Sequence, residues 1–232
     1  MCSQFENLVP IAKLAKYSNS IFDDQVASLI WEPHVYPYAK APVVTRYEQY
    51  NSIRLMSYSL VPAWSKTAKP KFSTYNARLD RPGQGDSLEL IYNTPTWRRP
   101  FLKQRCLVPL SGFFESCRVG THVGNIVKFT ANNSDDILLA AGIWDKWTDQ
   151  TTGEIINSFA IITDNPCDYI LEVGHDRQPV FLNLANADTW LNTEALPAAE
   201  AYNFLKNNQE PINYAVSNYK QLKGARQHDL LS

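Results

Sequence analysis

Cysteine stands at position 2 behind an initiator methionine, and a residue that small normally lets the methionine be removed. Cys2 then carries a primary amine and a thiol on neighbouring carbons. The amine titrates at about 7.7–8.0 and the thiol at about 8.5, so both are partly deprotonated near neutrality. Such an aminothiol attacks an aldehyde through nitrogen and closes a ring through sulphur, or attacks an acyl group through sulphur alone. Two further residues suit proton transfer. Glu115 ends the apolar run Arg105 to Cys117 beside Phe113 and Phe114, a setting that raises a carboxyl's pKa towards neutrality. His175 follows Gly174 at an expected helix end, well placed to enter a cleft, and imidazole titrates near ~6.5. Each has a plainer reading: a packed cysteine, a glutamate paired with arginine, a capping or core histidine. Taken singly, the plainer one is the commoner.

The elements that would position these groups are mostly strands. Glu6 to Tyr17 reads as a short helix with Pro10 in its first turn, and Trp31 to Pro37 is held extended by two prolines. Val43, Val44 and Ile53 to Val61 read as strands. Arg105 to Cys117 reads as one buried strand interrupted at Pro109 and Gly112. Its regular end puts Phe113, Glu115 and Cys117 on one face and Phe114 and Ser116 on the other. Ile126 to Ala131, Ile137 to Trp147, Ser158 to Thr163, Val180 to Leu182 and Ile212 to Ser217 complete the strands. Helices are expected from Asn165-Pro166 to about Val173, from Asn186 to Leu191 and from Pro197 to Asn207, with Asn165 and Asn186 as caps.

A chain of 232 residues with 44% hydrophobic and 19% charged residues is an ordinary globular protein, and one domain over 1–232 is the simplest account. Four cysteines are too sparse for a disulfide scaffold, and the absence of CxxC or HxxxH spacing argues against zinc. Neither metal nor cofactor is expected. The apolar patch Leu8 to Ala15 is broken by Pro10 and Lys13, unlike a signal peptide, and no run is long enough to span a bilayer. The expected location is the cytoplasm, with no membrane and no obligate protein partner. A net charge of −1 excludes wholesale coating of nucleic acid but not a local basic groove. Between Val61 and Arg105, nine cations, Lys66, Lys71 and Arg78 among them, meet three carboxylates, with Trp64, Tyr75, Tyr92 and Trp97 interleaved. Cations along phosphates and rings under bases are what a single-strand groove needs. A solvated face with its aromatics buried beneath is the equal alternative.

In order along the chain stand Met1-Cys2, Val35-Tyr36-Pro37, Tyr58 to Trp64, Tyr75-Asn76-Ala77-Arg78, Cys106 to Glu115, Ala141 to Trp144 and Gly174 to Val180. This succession resembles the SOS-response-associated peptidase (SRAP) family of abasic-site processing proteins. The resemblance implies an α+β fold, a single strand-rich domain with a twisted, barrel-like, mostly antiparallel sheet and flanking helices. It implies capping of abasic sites in single-stranded DNA through a covalent thiazolidine at Cys2, with the protein nucleoid-associated while bound. On the same ground Asn76 is the positioning amide, and Glu115 and His175 are the proton-transfer groups. Arg78 and Arg177 are phosphate contacts, and Trp64, Lys66, Lys71 and Pro37 join the DNA-binding set. The sequence departs from the family at Ser3-Gln4 (usually Gly-Arg), His34 (Asn), Ser59 (Gly) and Ser116 (Trp), and lacks the asparagines of its C-terminal motif around Leu222 to Arg226. Two other readings stay open: a thiol N-terminal-nucleophile peptidase that removes its own leader, and an idle single-strand binder. Lyase activity is a further expectation of the first reading.

Overall fold

The computed structural model describes residues 3–83, 87–133 and 137–222; the readings that fall on Met1, Cys2 and residues 223–226 lie outside them. The chain opens with β1 (Gln4–Glu6), α1 (Ile11–Tyr17), α2 (Asp24–Ala27), β2 (His34–Val35), β3 (Lys40–Tyr47) and β4 (Tyr50–Tyr58). It continues through β5 (Asn76–Arg78), β6 (Asp80–Pro82), β7 (Leu88–Leu90), α3 (Arg98–Lys103), β8 (Arg105–Leu110) and β9 (Gly112–Ser116). Then come β10 (Asn125–Ala131), β11 (Leu138–Thr148), β12 (Ile155–Asp164), α4 (Asp168–Val173) and β13 (Gln178–Pro179). Last are α5 (Leu184–Leu191), α6 (Ala198–Asn207) and β14 (Tyr214–Gln221).

The path β11-β8-β3-β4-β12 returns to β11 and closes a barrel. Its pairings are antiparallel except where β12 runs parallel to β4. A second sheet, β14-β10-β9-β1-β2, packs across it. β8 and most of β11 and β12 are buried on both faces, which is why they read as near-continuous apolar runs, whereas β4 alternates. Cys106, Val108 and Leu110 meet Phe5, Phe113 and Phe129 of the second sheet in one cluster. Leu107, between them in sequence, joins Leu14, Phe101, Trp190 and Leu205 from the helices in another. The α+β, strand-rich, barrel-like architecture expected from the resemblance is the one observed.

Several boundaries differ from the sequence reading. The run from Arg105 to Cys117 is two strands in two sheets, and Pro109 stays inside β8, opposite Leu139. The break falls at Ser111, where the chain crosses between sheets. Gly112 then permits close packing, since a Cβ there would lie 2.7 Å from the Phe129 carbonyl oxygen. Glu6 is in a strand rather than a helix, because Gln4–Glu6 is wedged between β9 and β2. Asn165 caps nothing; α4 starts at Asp168 behind Cys167. Asn183, not Asn186, caps α5, its side chain accepting from the Asn186 N–H at 3.0 Å. Beyond Pro179 the expected strand reduces to one bridge between Phe181 and Ala140. The last strand starts at Tyr214 and runs on to Gln221. Ser59 has φ +98°, a left-handed conformation that glycine adopts without strain. No helix among the described residues is long and apolar enough to cross a membrane.

Candidate active site

Three strands and one loop deliver the candidate groups. β9 carries Glu115 with its side chain only 2% exposed, on the same face as Phe113 and Cys117, as alternation requires. β1 runs antiparallel beside it with Gln4 opposite Phe114, the neighbour of Glu115. Cys2 itself is outside the described residues. The loop after α4 brings His175 across, so that Nε2 lies 3.0 Å from Glu115 Oε2. That loop is set by Gly174 at φ +116°, where a Cβ would fall 1.8 Å from the Val119 carbonyl oxygen. Only glycine fits there.

His175 Nδ1 lies 3.0 Å from the Arg177 carbonyl oxygen and 3.3 Å from the Arg177 N–H. A protonated Nδ1 donates to the first, and a bare Nδ1 accepts from the second. The ring is therefore satisfied whether or not it carries the extra proton.

The third strand is β5, which lies parallel to the end of β12 with Asn76 opposite Ile161 and Arg78 opposite Thr163. Thr163 pairs on its other side with Pro179, so Arg78 and the segment after Arg177 flank one strand. Both amide atoms of Asn76 are buried and have no hydrogen-bond partner among the described residues. An unmet buried polar atom costs about 1–3 kcal/mol, and such residues cluster where the strain serves a function. Arg78 donates to Asn165 Oδ1 at 3.1 Å, while Arg177 Nε stands 4.0 Å from Asp176 Oδ2. A cleft of about 480 Å³ opens beside His175, lined by Tyr75, Ser116, Arg118, Leu171, Gly174 and Asp176. Tyr75, which the sequence reading placed among the interleaved aromatics and at the head of the Tyr75 to Arg78 motif but in no site role, lines this cleft.

The thiols are not equivalent. Burial, then the nearby Glu115 carboxylate, pushes Cys117 up to about 11, and burial raises Cys106 further still. Neither is a thiolate near neutrality.

The basic stretch is not one surface. Trp64 is 59% exposed and stacks loosely on Phe72 at 6.5 Å, with Lys66, Lys69 and Lys71 exposed around it. Lys69 lies over the Tyr38 ring, next to Pro37. The loop is pinned from beneath: the Ala63 N–H donates to Asp145 Oδ2 at 2.8 Å and Trp147 Nε1 to the Ser65 carbonyl oxygen at 2.7 Å. In the second half Arg81 pairs with Glu89 and Arg99 with Asp145, yet both arginines stay more than half exposed, and Arg98 and Lys103 are exposed too. Arg105 alone of these is buried, against the carbonyl oxygens of Phe101 and Leu196.

A family model described as SOS response associated peptidase (SRAP) matches residues 1–219. The chain belongs to the SRAP family. Abasic site processing protein YoqW of Bacillus subtilis is 29% identical over 144 residues, which cover 61% of this chain and 58% of that protein. Abasic site processing protein HMCES of Gallus gallus is 27% identical over 185 residues, 71% of this chain and 52% of that protein. The chain thus spans little more than half the length of these SRAP relatives. Among solved structures, a protein from Bacteroides thetaiotaomicron superposes with TM-score 0.73 at 23% identity, covering 94% of this chain and 92% of that one. One from Bordetella bronchiseptica has TM-score 0.73 at 20% identity, covering 94% and 100%. Both share the fold.

Proposed function

We propose that this SRAP protein processes abasic sites in single-stranded DNA by attaching itself covalently through Cys2. The observation that carries the reading is the buried Glu115–His175 contact beside the strand that leads out of the N-terminus. An abasic deoxyribose holds a little open-chain aldehyde. The Cys2 amine, exposed once Met1 is removed, adds to that carbonyl carbon. Glu115 in its acid form protonates the departing hydroxyl, which leaves as water, and an iminium that keeps its N–H remains. The carboxylate then accepts the thiol proton and the thiolate sulphur bonds to the iminium carbon, which gives a neutral thiazolidine and returns Glu115 to its acid form. His175, hydrogen-bonded to Glu115, donates to the sugar ring oxygen on opening. Asn76 does not titrate; its unpartnered amide orients amine and aldehyde at attack distance.

DNA is held by phosphate contacts from Arg78 and Arg177 and from Lys66 and Lys71, with Trp64 as a stacking or wedge residue and Pro37 beside it. The whole chain, 1–232, acts as one SRAP domain in the compartment that holds its DNA. A denaturing gel with abasic and intact oligonucleotides tests the reading. A band that survives denaturant with the abasic strand alone supports it. A thiol peptidase or an idle binder gives no such band.

A further inference from the structure

Behind Arg78 lies a polar network that the chemistry above leaves unused. Asp80 and Asp164 are buried carboxylates, 8% and 3% exposed, at neighbouring strand ends joined by the Leu79 N–H to Thr163 carbonyl hydrogen bond. Lys206, in the last turn of α6, donates to Asp80 Oδ2 at 3.2 Å and to both Asp164 oxygens at 2.9 and 3.0 Å. Tyr202, one turn earlier on the same helix face, donates to Asp80 at 2.8 Å, and Gln209 donates to Asp164 at 2.6 Å. Burial opposes the charge on Asp80, yet the Tyr202 hydroxyl, the Lys206 ammonium and, at longer range, Arg78 outweigh it and hold the carboxyl below its ordinary range.

Arg78 sits two residues before Asp80, and Asn165, its hydrogen-bond partner, directly follows Asp164. Its Nε is buried and has no hydrogen-bond partner among the described residues. Two buried carboxylates and one ammonium therefore lie directly behind a guanidinium that is only partly engaged. Without the ammonium, Asp80 and Asp164 would be buried charges short of an ion-pair partner, a costly state that favours drawing in a cation already within electrostatic reach of Asp80. Here that cation is Arg78.

We propose that Lys206 is a positioning residue for DNA: by pairing with Asp80 and Asp164 and offsetting one of their two charges it leaves the Arg78 guanidinium turned outward, free to meet a phosphate. The inference rests on the reading of Arg78 as a phosphate contact. Its effect should appear as the loss of one phosphate contact although Arg78 is intact.

The test is the salt dependence of binding to an intact single-stranded oligonucleotide. Arg78→Ala should reduce the salt slope by about one unit, the signature of one lost phosphate contact. Lys206→Met should reduce it by the same amount, and the double variant by no more. Lys206→Arg should restore the slope. So should Lys206→Met combined with Asp80→Asn, which returns the cluster to its original net charge without restoring a cation at 206. An unchanged slope in Arg78→Ala refutes the phosphate reading of Arg78 itself. A reduced slope in Arg78→Ala with a wild-type slope in Lys206→Met overturns the positioning role. Additive losses, or no rescue by Asp80→Asn, would make Lys206 a direct phosphate contact and overturn it equally. If Lys206→Met is recovered unfolded, the Lys206→Met/Asp80→Asn variant decides: a wild-type slope upholds the proposal, and a slope lower by one overturns it.

Discussion

His175 Nε2 lies 3.0 Å from Glu115 Oε2, and the same imidazole presents Nδ1 to both the carbonyl and the N–H of Arg177. A proton can pass between carboxyl and imidazole without either side chain turning, because Arg177 offers an acceptor to one form of the ring and a donor to the other. On the proposed chemistry, Glu115 and His175 act as one proton-transfer unit, brought into contact from β9 and the loop after α4.

Groups that act as a unit are not additive. Glu115→Gln should slow adduct formation about 10²–10⁴-fold, the usual contribution of a positioned acid–base group. His175→Ala should slow ring opening and adduct reversal, leaving DNA affinity near wild type. The double variant should be no slower than the worse single one, measured as single-turnover rates on denaturing gels. Multiplying rate losses would show two independent groups.

The aminothiol chemistry needs a free α-amine, since an amide nitrogen is neither basic nor nucleophilic. A non-cleavable N-terminal extension keeps the Cys2 thiol, Asn76, Glu115 and His175 but turns that amine into a peptide bond. Such a protein should bind single-stranded DNA and form no denaturant-stable adduct, while a C-terminal extension should be harmless. Cys2→Ser should bind DNA and form no stable thiazolidine. Intact-protein mass spectrometry after incubation with an abasic oligonucleotide reads all three; equal adduct yields from the two extended forms would refute the thiazolidine.

Asn76 separates stability from function. Its buried amide has no hydrogen-bond partner among the described residues, so an apolar residue of similar size removes an unmet polar group rather than a contact. Asn76→Leu should therefore melt at or above the wild-type temperature while forming adduct at least about ten-fold more slowly, if orientation is its role. A clear fall in melting temperature would assign Asn76 to the scaffold.

Ser59 holds a left-handed backbone with φ +98° between β4 and the loop that carries Trp64. Such a conformation costs a non-glycine residue about 1–2 kcal/mol, against about 0.5–1 kcal/mol of added chain entropy when glycine replaces it. Ser59→Gly should raise stability by up to about 1 kcal/mol by urea denaturation. The hydroxyl's 3.1 Å contact with Thr74 Oγ1 is what the substitution gives up. A loss of stability would mean that this hydrogen bond outweighs the strain.

The sequence carried more of the site than of its boundaries. The alternation that puts Phe113, Glu115 and Cys117 on one face is local, and the structure keeps it. The turn at Gly174 that aims His175 is local too, since only glycine meets the backbone requirement there. The caps were less legible: Asn186 is the expected cap of α5, but the Asn183 side chain accepts from the Asn186 N–H and caps the helix instead. Gln4–Glu6 has no strand signal of its own and is a strand because β9 and β2 provide partners on both sides.

By itself the sequence determined the residue chemistry: a cysteine at position 2, a carboxyl among aromatics at Glu115, a histidine after a glycine turn, and cations concentrated between Val61 and Arg105. Tertiary structure alone decided which of those cations find a partner. Arg99, though exposed, pairs with Asp145, 46 residues away, and the buried Arg105 donates to the Leu196 carbonyl oxygen, 91 residues away. Lys66, Lys69 and Lys71 stay exposed. It also decided that Glu115 and His175 meet and that Lys206 reaches Asp80, 126 residues apart in the chain. Alternation and turn chemistry act over a few residues and can be read along the chain. Ion pairing and burial depend on which strands and helices close upon one another, and no local pattern of residues encodes that distance.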